Sequence, residues 1–506
     1  MTYGLVCDIF MLDIYKNRSK EMEEVLSNEV DIRRQKIEEL RKMGEIPYKE
    51  KFDRTCTIQE AREKLGEKVA IAGRIVFRRI MGKFGFCQIR DIYDRIQISV
   101  GRNEFSEEDY NFYKKMIDIG DFIGVEGEVY ATQTGEITVK AEKIVLLSKT
   151  LRPLPEKFHG IADQEIRYRQ RYLDLITNEE SRKIFLTRSK VCSFIRRYLE
   201  DNGFIEVETP VLQTSVSGAS AKPFFTHHNA LDLQCNLRIA TETWLKQCIA
   251  AGIDRVFELG KDFRNEGMDP SHLQEFTQVE WYASYWNFED NITFFKKLIV
   301  ELFNTCLGTT KVNYQGQEID FSGEWPRINY VETMRELLGC DFLAIDNVDE
   351  LKKIVVDKGL FGYGELEECK TVRTLVDYIY KRKIRANIVN PTILYNYPAS
   401  LIPLARRNDA DDRIIDVFQV VAGGAELVKA YSELVDPIVQ RKTLEQQLEE
   451  KAAGDDETMD VDEDFLLAME HGMPPISGLG FGIDRFLQFI FDCPNIRDVV
   501  LFPTMK

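Results

Sequence analysis

The sequence predicts an α+β protein in two parts, and three observations carry that reading. Between Val69 and Leu147 the chain breaks into five short β segments with one helical stretch after the third. Beyond about residue 167, runs of alternating apolar and polar residues, as in half-buried antiparallel strands, are interleaved with helical stretches. A Pro-containing connector, SKTLRPLPEKFHG (148–160), separates the two.

In chain order, residues 1–19 read as an N-terminal extension: Cys7, Asp8 and Asp13 interrupt its apolar stretches, and neither a basic leader nor a small-residue cleavage site is present. Residues 20–43 read as an exposed helix. Met22, Leu26, Val30, Ile37 and Leu40 recur at helical spacing, Gly44 and Pro47 supply the stop, and Arg33, Arg34, Lys36, Arg41 and Lys42 are read as the opposite face. The β segments are expected at Val69–Phe77, Phe84–Asp91, Ile96–Val100, Phe122–Ala131 and Ile137–Leu147, with the helix at Glu107–Ile117. Five strands with a helix after the third is the plan of an OB barrel, a fold that commonly binds single-stranded nucleic acid. Residues 20–147 are therefore one domain, 148–166 a linker and 167–506 a second domain. In that domain residues 181–201 are helical and lead through Gly203 into the strand-like FIEVETPVL, and LRIATE, VFELGKDFRNE, FTQVEWYASY, IIDVFQVVAGGAELVKAYSEL and SGLGFGIDRFL are read as strands. A helical, charged insertion is expected at about 330–390, and the acidic run near 454–464 as a surface turn.

The 506 residues carry a formal charge of −17, which argues against a wholly basic nucleic-acid binder but leaves a local basic face open. No stretch approaches the length of a membrane span, and the ten cysteines form no CxxC pair, which argues against a zinc site or a disulfide framework and for a reducing, cytoplasmic setting.

Three ordered signatures carry the chemistry. The first is Gly203-Phe-Ile-Glu-Val-Glu-Thr-Pro210, a helix stop followed by a strand ending at proline. The second is Phe263-Arg264-Asn265-Glu266, a loop with His272, then Glu275-Phe276-Thr277. The third is Gly478-Leu-Gly480-Phe-Gly482-Ile-Asp484-Arg485 at a helix entry. In this order they resemble motifs 1, 2 and 3 of the class II aminoacyl-tRNA synthetases, and the chain is most similar to the bacterial-type lysyl branch. Tracts such as RRIMGK (78–83), RYRQRYLDLI (167–176), HHNALDLQ (227–234) and EHGMPP (470–475) extend the resemblance over nearly the whole chain.

That resemblance implies an antiparallel sheet flanked by helices, a homodimer, and ATP-dependent activation of L-lysine followed by transfer to tRNA(Lys). Attack of a carboxylate on the α-phosphate needs positioning and charge stabilisation more than proton transfer. By resemblance, Arg264 bridges the α-phosphate and the substrate carboxylate, Glu266 reads the adenine amino group, Phe276 and Arg485 sandwich the purine, and His272 meets the outer phosphates. Glu242 and the backbone at Gly218 would receive the α-amino group, and Glu280, Tyr282 and Glu433 the ε-ammonium, with Tyr431 beside them. Two departures stand out. The family's Mg²⁺-coordinating carboxylates correspond to Gln419 and Glu426, and an asparagine that touches the substrate carboxylate corresponds to Lys429, changes that could offset each other. Leu273-Gln274 replaces a common Asn-Pro in the second signature. In the barrel, Phe86 would stack on an anticodon base while Gln97 and Glu136 read base edges, and the N-terminal helix would add phosphate contacts. Competing readings are an aspartyl- or asparaginyl-type synthetase, a protein-lysylating paralogue, which would lack the barrel, and a non-catalytic synthetase-like RNA-binding protein.

Overall fold

A computed structural model describes residues 27–155, 161, 163–219, 221–402, 404–452 and 461–506. The extension at 1–19, the first residues of the predicted N-terminal helix, most of the linker tract 156–162 and most of the acidic run lie outside the described residues. The chain divides into two units, Met1–Ala162 and Asp163–Lys506.

The first unit is a closed five-stranded barrel in the order β1-β2-β3-β5-β4, with β1 at Lys68–Met81, β2 at Phe84–Arg90, β3 at Arg95–Gly101, β4 at Phe122–Ala131 and β5 at Ile137–Ser148. The helix Glu107–Met116 sits between β3 and β4 and is capped by Ser106, whose hydroxyl accepts from the Asp109 amide. The first strand runs four residues past its expected end. Arg78 and Arg79 interrupt the apolar pattern, but hairpin pairing continues to Met81 opposite Phe84, and Gly82 (φ +61°) makes the turn. Alternation packs Ile71, Cys87, Ile89, Ile98, Val125 and Val139 inside.

The N-terminal helix, described over 27–42, does not keep its basic residues for a ligand. Arg33 is buried on the same face as Ile37 and Leu40 and donates to the carbonyls of Ile119 and Thr150, both at 3.2 Å. Lys36 pairs with Asp118 at 2.7 Å. The expected phosphate-contact face is thereby reduced to Arg34, Arg41 and Lys42, because two of its cations dock the helix onto the barrel.

The second unit is built on an eight-stranded sheet. Its order is Arg327–Asn329, Thr392–Pro398, Ile414–Ala422, Ala425–Ser432, Ile476–Gly482, Glu275–Ser284, Arg255–Phe263, Ile205–Glu206. Every pairing is antiparallel except the outermost one at each edge. Helices Glu179–Asp201, Phe288–Leu302 and Ile483–Ile490 cover one face through a core that includes Val191, Ile195, Trp281, Phe295, Phe418 and Phe481. The insertion packs Tyr330, Met334, Leu351, Leu375 and Ile379 into a second core shared with Leu394, Ile415 and Val417 of the sheet.

Two expected strands shrink. FIEVETPVL contributes only Ile205–Glu206 to the large sheet, since the Thr209 amide turns to Glu258 and Pro210 follows. LRIATE is not a strand of that sheet. A small sheet ends at Leu237, Arg238 turns inward to Glu258 and Asp262, and Thr241 precedes the helix Glu242–Ala250.

A buried relay ties helix to sheet: the Trp281 indole N–H donates to Asn291 at 2.9 Å, the Asn291 amide donates to Ser477 at 2.7 Å, and the Ser477 hydroxyl donates to the Tyr431 carbonyl at 2.8 Å. Asn291→Leu strands the indole N–H and removes a donor from Ser477. Urea denaturation should show a loss of roughly 2–5 kcal/mol, the order for two buried groups losing partners; an unchanged midpoint would mean that the relay carries no stability.

Candidate active site

Antiparallel register assembles the site in rows. Residues directly opposite each other share a face. One row reads Glu258, Glu280, Gly480, Lys429, Gln419 and the next Val256, Tyr282, Gly478, Tyr431, Val417. Glycine at the middle of each row lets the long side chains lean over the floor; a Cβ at Gly478 would fall on Tyr282 and Glu433. Over this floor lies a chamber of about 380 Å³ lined by Gly218, Glu242, Glu280, Tyr282, Lys429, Tyr431 and Glu433, with Arg264 at one side and Arg373 entering from the insertion.

The carboxylates are individually held. Glu280 accepts from the Thr241 hydroxyl at 2.7 Å and the Gln278 amide at 3.2 Å. Glu242, first residue of its helix, accepts the Tyr431 hydroxyl at 3.0 Å. Lys246, one turn on and fully buried, brings its ammonium to 2.7 Å from Glu242 and 2.6 Å from Glu433, ringed by Tyr282, Tyr431 and Phe465 at 5.8–6.0 Å. Glu433 Oε1 is buried without a hydrogen-bond partner among the described residues. Glu242 and Glu433 thus share the Lys246 ammonium, whereas Glu280 has no ion pair among the described residues; Arg264, Lys429 and Arg373 line the same chamber.

That arrangement shows in the acidities. Burial, with the charges of Asp262 and Glu242, pushes Glu280 up to about 8. Burial also pushes Glu433 up to about 8, outweighing the attraction of Lys246. The Lys246 ammonium is held above its ordinary value because its two carboxylates outweigh its burial. Lys429 goes the other way: burial lowers it, and Glu426 and Asp377 only partly offset that.

A second cleft adjoins the chamber and shares Arg264, Gln278, Glu426, Lys429 and Gly480 with it. It lies over the hairpin joining Arg255–Phe263 to Glu275–Ser284 and over the entry to the helix Ile483–Ile490, and it takes in Glu266, His272, Phe276 and Arg485. The Arg264 guanidinium lies 5.1 Å from the Phe276 ring centre, and its Nε donates to the Ile239 carbonyl at 3.2 Å. Glu266 accepts from the Lys222 amide at 3.3 Å, and His272 Nδ1 lies 2.7 Å from Asp269. Asp484 beside Arg485 is buried, accepts from the Thr277 amide at 2.7 Å and pairs with Arg188, which fixes the helix entry to the hairpin. Leu273 is buried against the main core and Gln274 donates to the Glu266 carbonyl at 3.0 Å, so the hairpin loop is braced without the Asn-Pro pair.

Gln419 is not brought into either cavity. Its amide oxygen accepts from the hydroxyls of Tyr380 at 2.9 Å and Tyr397 at 2.8 Å, so the insertion closes over it. Glu426 does line both cavities, and a single carboxylate fits a phosphate-borne magnesium ion that keeps most of its own waters. Gln419 does not fit as a second ligand, and no cluster of three or more His, Cys, Asp or Glu able to hold a metal forms among the described residues.

In the barrel unit, Phe86 and Gln97 share one outer face, with Ser99 opposite Phe86 and Gln88 opposite Gln97. Gln97 donates to Thr138 at 3.0 Å, and Glu136 stands exposed two residues before that threonine. Sequence reasoning missed Arg79, exposed and directly across from Phe86, and Arg373. It also missed Lys246, which the i, i+4 spacing from Glu242 on a helix could have revealed.

An antiparallel sheet bearing a hairpin arginine, a glycine-rich strand entering a helix and an adjoining acidic chamber defines a class II tRNA synthetase. Residues 163–506 match the family model of class II tRNA synthetases (D, K and N), and residues 69–147 match that of the OB-fold nucleic acid binding domain. The chain is 41% identical to lysine–tRNA ligase of Bacillus cytotoxicus over 494 residues, covering 96% of this chain and 98% of the relative. It is 42% identical to lysine–tRNA ligase of Staphylococcus aureus strain MW2 over 498 residues, covering 96% and 100%. The chain belongs to the lysine–tRNA ligase family.

Glu280 and Glu433 bind a proton more tightly in the folded chain than in the unfolded one, where the ordinary value is 4.5. Their contribution to ligand-free stability is therefore intact below that value and is lost as pH rises toward about 8. Denaturant titrations from about pH 5 to 8 should show that decline, and Glu280→Gln should flatten it by a few kcal/mol. An identical slope in the variant would mean that Glu280 is ionised throughout.

Proposed function

We propose that the chain is a lysine–tRNA ligase that forms lysyl-adenylate from L-lysine and ATP and transfers the lysyl group to tRNA(Lys). The observation that carries this reading is the chamber that gathers the buried carboxylates Glu242, Glu280 and Glu433, next to a cleft that carries the nucleotide signatures. A bound lysine brings two ammonium groups, and a buried ammonium needs carboxylate partners such as Glu242, Glu280 and Glu433. Glu242 and the Gly218 backbone receive the α-amino group; Glu280, Tyr282 and Glu433 receive the ε-ammonium.

Adenylate formation then follows from position. A carboxylate oxygen of lysine attacks the α-phosphorus, the bond to the bridging oxygen breaks, and pyrophosphate leaves with the electron pair. Arg264 holds both anions, Glu266 reads adenine, Phe276 and Arg485 enclose the ring, and His272 meets the outer phosphates. Glu426 would hold a magnesium ion carried by ATP, which would supply counter-charge to the phosphates. The barrel face around Phe86, Gln97 and Glu136 reads the anticodon, with Arg79 beside it. The enzyme works as a homodimer in the cytoplasm; no helix among the described residues is long and apolar enough to cross a membrane.

An aspartate- or asparagine-type substrate is disfavoured because its side chain would meet the buried carboxylates Glu242, Glu280 and Glu433, and the ammonium beside them, Lys246, is already engaged by Glu242 and Glu433. Amino-acid-dependent ATP–pyrophosphate exchange across the twenty amino acids tests the reading. Exchange should be strong with lysine and weak with aspartate and asparagine; no exchange with any of them would favour a non-catalytic RNA-binding protein. Glu280→Gln should weaken lysine use by roughly 2–5 kcal/mol, the order for breaking a buried charge pair, and unaltered lysine KM would remove Glu280 from the pocket.

For RNA, Phe86→Ala should lose about 1–3 kcal/mol of stacking. Aminoacylation should fall while exchange stays near normal; parallel loss of both would mark Phe86 as a folding residue.

A further inference from the structure

We propose that Lys429 is a resident cation of adenylate formation, its ammonium meeting the α-phosphate of ATP and the substrate carboxylate where cleft and chamber join, in place of a second protein-held divalent ion. This rests on the reading of the site as lysine-activating.

Position is the first argument. Lys429 and Arg264 are the two cationic side chains that line both cavities. Gly480 stands between Glu280 and Lys429 in the cross-strand row, so no side chain separates the acidic floor from this ammonium. Lack of a counter-ion is the second. Lys429 has no ion pair or hydrogen bond among the described residues, and Glu426 and Asp377 act on it only through space. A partly buried ammonium without a partner is costly unless a ligand anion supplies one.

The third argument joins the two departures in sequence. Gln419 lies directly across from Lys429 in the sheet. A carboxylate at that position would pair with the ammonium and neutralise it. The neutral amide, tied instead to Tyr380 and Tyr397, leaves the charge of Lys429 free for a ligand. Chemically, the reacting carboxylate and α-phosphate are both anionic and repel as they approach, no proton needs to move, and a fixed cation touching both lowers that repulsion.

Binding separates this from the overall reading. The probe is α,β-methylene-ATP, which cannot form adenylate, titrated by calorimetry with excess EDTA and again with excess magnesium. The unsubstituted chain should retain metal-free binding, and Lys429→Met should weaken it by at least roughly tenfold, as for one lost charge-assisted contact. Magnesium should recover part of that loss, and Lys429→Arg should keep most of the metal-free affinity. Gln419→Glu, with folding followed by thermal denaturation, should weaken metal-free binding in the same direction, and its combination with Lys429→Met should be less than additive. Metal-free affinity unchanged in Lys429→Met, or strict additivity in the double variant, would overturn the proposal. Should Lys429→Met not fold, Lys429→Arg and Gln419→Glu decide it. Absence of lysine-dependent exchange in the unsubstituted chain would refute the substrate reading instead.

Discussion

Burying Glu242, Glu280 and Glu433 together in one chamber is the constraint on which the rest of the catalytic unit depends. Charges removed from water are tolerated only where each oxygen has a donor or can take a proton. Here the sheet and the adjoining helix supply the donors in fixed places: Thr241 and Gln278 for Glu280, Tyr431 for Glu242, and Lys246 between Glu242 and Glu433. What they leave unmet, chiefly Glu433 Oε1, is stored as protons on carboxyls pushed up to about 8. A dicationic ligand would displace those protons and complete the pairing. On the proposed reading, selectivity for lysine rests on an electrostatic deficit that the folded chain does not remove by itself.

The two cavities divide the work by exposure. The chamber carboxylates Glu242, Glu280 and Glu433 are buried, whereas Glu266, His272 and Arg485 around the second cleft are exposed. Such side chains can move onto a ligand that brings most of its own charge. Lys429 and Arg264 stand at the boundary. Arg264 is braced against Phe276 and the Ile239 carbonyl, while Lys429 has no hydrogen bond or ion pair among the described residues. The insertion contributes by closing Tyr380 and Tyr397 over Gln419, so a peripheral segment decides which cation can serve the cleft.

In the barrel unit the same rule of local pairing explains how a chain of net charge −17 can present an RNA-reading face. Arg33, Lys36 and Lys149 are consumed internally; Lys149 is fully buried between Asp118 and Asp121, 2.6 Å from each. What remains around Phe86 is aromatic and polar with Arg79 alongside, suited to stacking and edge contacts more than to non-specific attraction by charge.

The sequence by itself determined the two-part α+β plan, the barrel with its helix after the third strand, the helix ending at Asp201 and the three ordered signatures, because periodicity, capping and motif order are local properties of the chain. Which strands face each other is not local. Register across four strands places Glu280, Gly480, Lys429 and Gln419 in one row, and the pairing that brings Glu280 opposite Gly480, far along the chain, cannot be read from spacing. For the same reason FIEVETPVL and LRIATE read as longer strands than they form, since the turns at Thr209 and Arg238 are imposed by Glu258 and Asp262 on a neighbouring strand. Only the tertiary structure decided that Gln419 faces two tyrosines, that Arg33 holds a helix in place, and that Lys246 joins the acidic chamber. Each outcome depends on what a buried polar group finds within hydrogen-bonding reach, and that is set by packing.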